Sequence, residues 1–584
     1  MRDRPLVRLF LWRFLEHDLV SPNSDRHVVM SAIGGGVAAL SLFVAVLVAW
    51  QYQLSRDMPP GIATVFAVSD RFLFTTSSML VMALAAVVHW DALVLDSRDA
   101  AVLGPLPLTR SAIVRAKFAA TGLFAAAVLV VWNAFPTMLR AAMLPTGLHV
   151  GLLDAFKLTL AHALATGAAG LFGFLAMLGV RESLFAVLGA AGFRRVSAVV
   201  QTALFLVLTT SLLLLPGVHN VASRWRAQEP VPAQALPPAW FVGLHESVAG
   251  AVIDDLPRVR PPGRRLVRRE REATDLYRSL WPLYHQLANI AIFAFGLLVI
   301  VTTAACVWNS RRLPAGANSP LPRHTAVRRG CRWVAVHVLA RTPLQQAGFF
   351  FTLQTLSRRV SHRVAMASAW AVGLALIVVV ASGNRAAAGD GSIPVAVLAV
   401  QPLLLGILMQ GFRRATRLPS ELRGNSTFSL AWSGEAAAFV SGVKRAGWIA
   451  VAWPALFGLA IWHTAILGPR LAALHFGVGF VMSALLMELM FLRCRAVPFV
   501  SADAPIADVK LRVTGFLVAL GSLSSALARL ERLSFSGVTG YLSLVVFLVA
   551  LSLATAAIDR FSRSPLTFDA DEELLPTQRL NLAQ

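Results

Sequence analysis

The chain has 584 residues, 57% hydrophobic and only 14% charged, with a mean hydropathy of +0.66. So little polar surface excludes a water-soluble globular protein of this length. The net charge of +23 is almost all arginine, with four lysines (Lys117, Lys157, Lys444, Lys510). In so apolar a chain it suits cytoplasmic loops beside anionic membrane lipid, and no nucleic-acid partner is expected.

In chain order, a short amphipathic helix comes first, over 5–20, where Phe10, Trp12 and Phe14 mix with Arg8 and Arg13. That mixture suits a helix in the headgroup plane. Arg8, Arg13, Glu16 and Asp18 break the apolar stretch, so no cleavable leader is expected. Runs such as GGGVAALSLFVAVLVAW and ANIAIFAFGLLVIVTTAACV read as membrane-spanning helices. About twelve are expected, at 28–50, 70–90, 117–138, 158–180, 196–216, 285–307, 364–381, 393–410, 446–466, 471–492, 512–530 and 538–558. Ser and Ala dilute the run at 512–530, and Arg529 closes it. The stretch from Leu184 to Phe193 is too short to span and is expected at the cytoplasmic surface. Between the fifth and sixth spans, the outer loop 217–284 should hold a helix opening on Pro237-Pro238, with Trp240 and Phe241 at headgroup depth. RVRPPGRRLVRRERE after it reads as a solvated basic stretch.

With both termini inside, inner segments collect about 35 basic residues and short outer loops about 8, while about 10 lie in the exempt long loop. That asymmetry predicts cytoplasmic termini. The two halves also echo one another. PLVRLFLWRFLEHDLVSPNSDRHVVM at 5–30 and PLQQAGFFFTLQTLSRRVSHRVAM at 343–366 each precede a span. Each half then carries a charged inner loop with acid–Arg clusters and proline, leading to Arg115 and Lys117 or to Lys444 and Arg445. The expected fold is therefore an all-α polytopic membrane protein in two pseudo-repeated halves of six spans. The boundaries are 1–310, a linker at 311–342, a second half at 343–560 and a tail at 561–584.

Catalytic and metal motifs are missing. No lysine follows a glycine, so a P-loop cannot be built, and neither GxSxG nor HExxH occurs. Cys306, Cys331 and Cys494 are too scattered for a disulfide framework or metal site. His162, His463 and His475 stand singly and read as packing residues. Intramembrane charge looks scarce: Glu488 is the one acid clearly inside an apolar run, and Asp70-Arg71 reads as interfacial.

The loop LDSRDAAVLGPLPLTR at 95–110 stands out against this background. Asp96, Arg98 and Asp99 can start a short surface helix that Gly104-Pro105 ends. Leu103, Leu106 and Leu108 supply apolar knobs, and Thr109 or Ser111 can cap the next helix. Such a knob suits docking of a soluble partner.

Here the chain resembles the permease subunits of ABC-2-type exporters. WDALVLDSRDAAVLGPLPLTRSAIVRAKF is similar to their D-x-R-D…L-x-P-L-P…K segment, LPSELRGNSTFSL and VPFVSADAPIADVKL to inner loops of long members, and LPPAWFVGL to an outer loop. The resemblance implies a coupling helix seated in a separate P-loop ATPase subunit, at Asp96, Arg98, Asp99, Leu103, Pro105 and Pro107. Glu421 and Arg423 are the second-half counterparts. It implies a bacterial inner-membrane exporter with no catalytic residue of its own and no cofactor in this chain, ATP and Mg being bound by the partner. One chain would supply both halves and engage two ATPase subunits. An ion-coupled carrier and a membrane-embedded transferase acting on lipid-linked substrates are the alternatives.

Overall fold

A computed structural model describes residues 4–15, 26–54, 60–94, 99, 103, 105–106, 108–147, 151–218, 225, 231–254, 264–311, 332–384, 393–418, 432, 435–492, 494, 497–500 and 509–562. These residues form helices and no strand. The chain divides into two compact units, Met1–Pro320 and Leu321–Gln584.

The first unit holds α1 (Arg4–Leu15), α2 (Arg26–Leu54), α3 (Pro60–Val88), α4 (Arg110–Gly147) and α5 (Leu152–Leu213). Then come α6 (Pro237–Asp254), α7 (Arg264–Ser279) and α8 (Trp281–Arg311). Helix α5 runs 62 residues but breaks at Gly189, where φ is +64°. Glycine alone adopts that conformation without strain. The segment from Leu184 continues the helix up to that kink. Helices α3 and α5 pack intimately because a Cβ at Gly173 would run into the Met79 carbonyl.

The second unit holds α9 (Pro343–Arg358), α10 (Val360–Asn384), α11 (Val395–Thr416) and α12 (Ala436–Gly447). A π-helical turn at Trp448–Ala452 leads into α13 (Trp453–Leu467), then α14 (Pro469–Phe491), α15 (Val509–Ser534) and α16 (Val538–Ser562). Helix α11 is the axis of this unit, with Leu398, Leu404, Leu405, Leu408 and Phe412 fully buried. Thr342 caps α9 in a capping box with Gln345.

Among the described residues, ten helices are long and apolar enough to cross a membrane. Two expected spans fall outside that set. Among the described residues, α2 contributes the shorter apolar helix segment Gly34–Trp50. Helix α15 forms, but its Ser, Ala and Arg residues keep its hydropathy low. Large apolar side chains on the outer faces, including Phe293, Ile300, Phe547 and Leu553, are more than half exposed. Burying each is worth about 1.5–3 kcal/mol, so these faces belong against lipid or protein. By length and composition this is a polytopic, all-α integral membrane protein.

Asp70 and Arg71 are buried within α3, which begins a few turns earlier at Pro60. Phe241 is fully buried and Trp240 half-buried, packed beside Phe172 and Phe295. Gly243 lets α6 lie directly on the Tyr284 carbonyl of α8.

Candidate functional site

The loop between α3 and α4 is anchored from within. Trp90 is fully buried and donates its indole N–H to Ser197 Oγ at 2.9 Å, while Arg181 Nε donates to the Trp90 carbonyl at 2.8 Å. Thr121 Oγ1 donates to the Leu93 carbonyl at 2.9 Å, tying the loop to α4. Thr109 Oγ1 accepts from the Ala112 amide at 3.4 Å and so caps α4.

Helix α1 lies across the base of α4. Phe10 and Phe14, one turn apart on the same face, are both buried. The Lys117 Nζ sits 4.6 Å from the Phe10 ring centre and 5.6 Å from that of Phe14. Asp99 Oδ2 approaches the same Nζ at 3.7 Å. Lysine and aspartate are 3% and 6% exposed, so this ion pair is out of water. Removing one partner from such a pair costs about 3–5 kcal/mol, because the other charge is left buried. Leu103 joins Phe10, Phe14, Met82 and Leu93 in one apolar cluster.

Of the predicted site residues, Asp99 and Leu103 therefore point inward, Leu103 as core and not as a knob. Pro105 is exposed, and so are Leu106 and Leu108 at 48% and 36%. The turn is closed by Leu106 N–H donating to the Leu103 carbonyl at 3.2 Å. Asp96, Arg98 and Pro107 lie outside the described residues, as do Glu421 and Arg423.

In the second unit, α9 likewise lies on the helix preceding a span. A Cβ at Gly442 of α12 would collide with the Gln345 carbonyl, and one at Gly348 with that of Phe439. Lys444 of α12 reaches Glu488 of α14 at 2.6 Å and Asp559 of α16 at 3.4 Å. The acid singled out within an apolar run is thus one arm of a three-helix ionic contact.

Buried ionisable groups are more numerous than the apolar runs suggest. Arg71 pairs with Glu246, whose carboxylate also accepts from Tyr277 Oη at 2.7 Å. Arg181 pairs with Glu182, which accepts from Asn309 Nδ2 at 2.9 Å. His475 Nδ1 lies 2.6 Å from Glu531 Oε1, both side chains almost wholly buried. Reading the sequence by runs missed Glu531 because it follows Arg529, where the run stops. A helical signal was present: Leu520, Ser524, Ala528 and Glu531 share one face of α15, and all four are buried. Cys306 and Cys494 are buried thiols. Among the described residues, no group of three or more His, Cys, Asp or Glu is arranged to hold a metal ion.

No family model, curated protein or solved structure matches this chain.

Proposed function

We propose that this chain is the membrane subunit of an ATP-driven exporter of the ABC-2 type, in a bacterial inner membrane with both termini cytoplasmic. A separate P-loop ATPase hydrolyses ATP, and the loop 95–110 receives its motion. The observation that supports this most is the anchoring of that loop. Asp99 and Leu103 bind it to α1 and α4, while Pro105, Leu106 and Leu108 stay outside. A surface that must transmit force has to be stiff behind and apolar in front, and buried Asp99 and Leu103 behind exposed Leu106 and Leu108 support that reading.

In this reading Pro105, Leu106 and Leu108 touch the ATPase, and Asp99, Leu103 and Lys117 position them. Phe10 and Phe14 pass the movement to α1. Photo-crosslinker incorporated at Leu106 should capture a nucleotide-binding protein from native membranes, and crosslinker at buried Leu103 should not. Equal capture at both positions, or none at Leu106, would count against the assignment.

A second reading, an ion-coupled carrier, gains weight from the buried acids Glu246, Glu531 and Asp559. Intramembrane carboxylates are costly and usually functional. Transport that persists in vesicles without ATP but collapses with the ion gradient would favour it.

A further inference from the structure

The least explained group of side chains in the second unit is His463, His475 and Glu531. It lies beside the two turns that join α13 to α14 and α15 to α16. His463 and His475 meet edge to face with ring centres 4.5 Å apart. All three side chains are buried to within 1%. His475 Nδ1 and Glu531 Oε1 are 2.6 Å apart, so one proton must lie between them, since two bare lone pairs would repel at that distance. The other ring nitrogen of His475, Nε2, is buried and meets no hydrogen-bond partner among the described residues.

Each neighbouring element contributes to this setting. From α11, Gln401 Nε2 donates to the His475 carbonyl at 2.7 Å. From α13, His463 turns its Nε2 toward the Val397 carbonyl at 3.4 Å, away from the carboxylate. From α16, Tyr541 Oη donates to the Leu474 carbonyl at 3.1 Å. Glu531 itself is the acid from α15. The titratable groups packed around His475 are therefore His463, Glu531 and Tyr541, and no Arg or Lys comes within ion-pair distance of Glu531 among the described residues.

We propose that His475 and Glu531 form a proton-binding site that takes up one exchangeable proton at the free nitrogen of His475. With only the shared proton, the pair carries one negative charge with no cation to balance it. A second proton makes the pair neutral, whether the arrangement is imidazolium with carboxylate or imidazole with carboxylic acid. Burial in a low-dielectric interior favours that neutral form. A metal ion is a poorer ligand, because His463 directs its nitrogen to a backbone carbonyl and three donors do not converge. The site is independent of the exporter reading: it would serve as a pH-responsive element of an ATP-driven exporter or as the ion site of a carrier.

The test is infrared difference spectroscopy of the full chain in lipid nanodiscs, with ring-labelled histidine, between about pH 8 and about pH 5, the range in which histidine changes charge. A histidine ring band coupled to a carboxyl change is expected in wild type and absent from His475→Gln. Glu531→Gln removes the compensating charge, and proton affinity at His475 should fall about tenfold or more. This second variant takes away a buried charge and keeps the side-chain shape, so it carries the test alone where His475→Gln fails to fold. Superimposable spectra for wild type and His475→Gln would overturn the proposal. So would unchanged titration in Glu531→Gln, or band shifts produced by zinc or sodium at constant pH.

Discussion

Lys117 shows how one residue can decide what a loop does. It is one of four lysines in a chain dominated by arginine, and its Nζ lies between two aromatic rings and Asp99. Asp99→Ala is expected to destabilise the protein by about 3–5 kcal/mol by removing a buried partner of the ammonium. Asp99→Leu combined with Lys117→Met should recover most of that loss, because neither charge then remains buried. Thermal unfolding of the purified variants reads both numbers, and additive losses would contradict an ion pair. The inward direction of Asp99 was not legible in the sequence. DSRD has the composition of a solvated turn, and the partner that buries its second aspartate stands a full loop and several helical turns later. The cap at Thr109 was legible, since it needs only local geometry.

At the scale of elements, glycine positions carry much of the packing. Gly442 and Gly348 let α9 and α12 touch backbone to backbone, whereas a Cβ on Gly458 of α13 would meet open space. Gly442→Ala is expected to cost about 1–3 kcal/mol by overpacking, and Gly458→Ala should be neutral or slightly stabilising. Unfolding midpoints of the two variants separate these outcomes. Gly189→Ala places a side chain at φ +64° and should cost about 1–3 kcal/mol of backbone strain. Apolar runs located nearly every long helix, because a bilayer demands a continuous stretch of oil. At α15 the run located the helix, whose buried face packs against α11. The double proline opening α6 was read correctly, and the close seat of that helix on α8 depends on Gly243.

At the scale of the whole molecule, each unit packs its leading helix against a later one, α1 on α4 and α9 on α12. Each also sets an acid against a lysine there, buried Asp99 with Lys117 and half-buried Glu488 with Lys444. The function such a plan serves depends on whether anything pushes on the exposed turn at Pro105, Leu106 and Leu108. The most direct measurement is purification from native membranes of wild type beside Leu106→Asp/Leu108→Asp, with bound ATP hydrolysis assayed and unfolding temperature used to check the fold. The exporter account predicts an ATPase that travels with wild type and is lost from a variant that remains folded. Well-folded wild type with no ATPase bound, or a variant that retains it fully, would contradict the account.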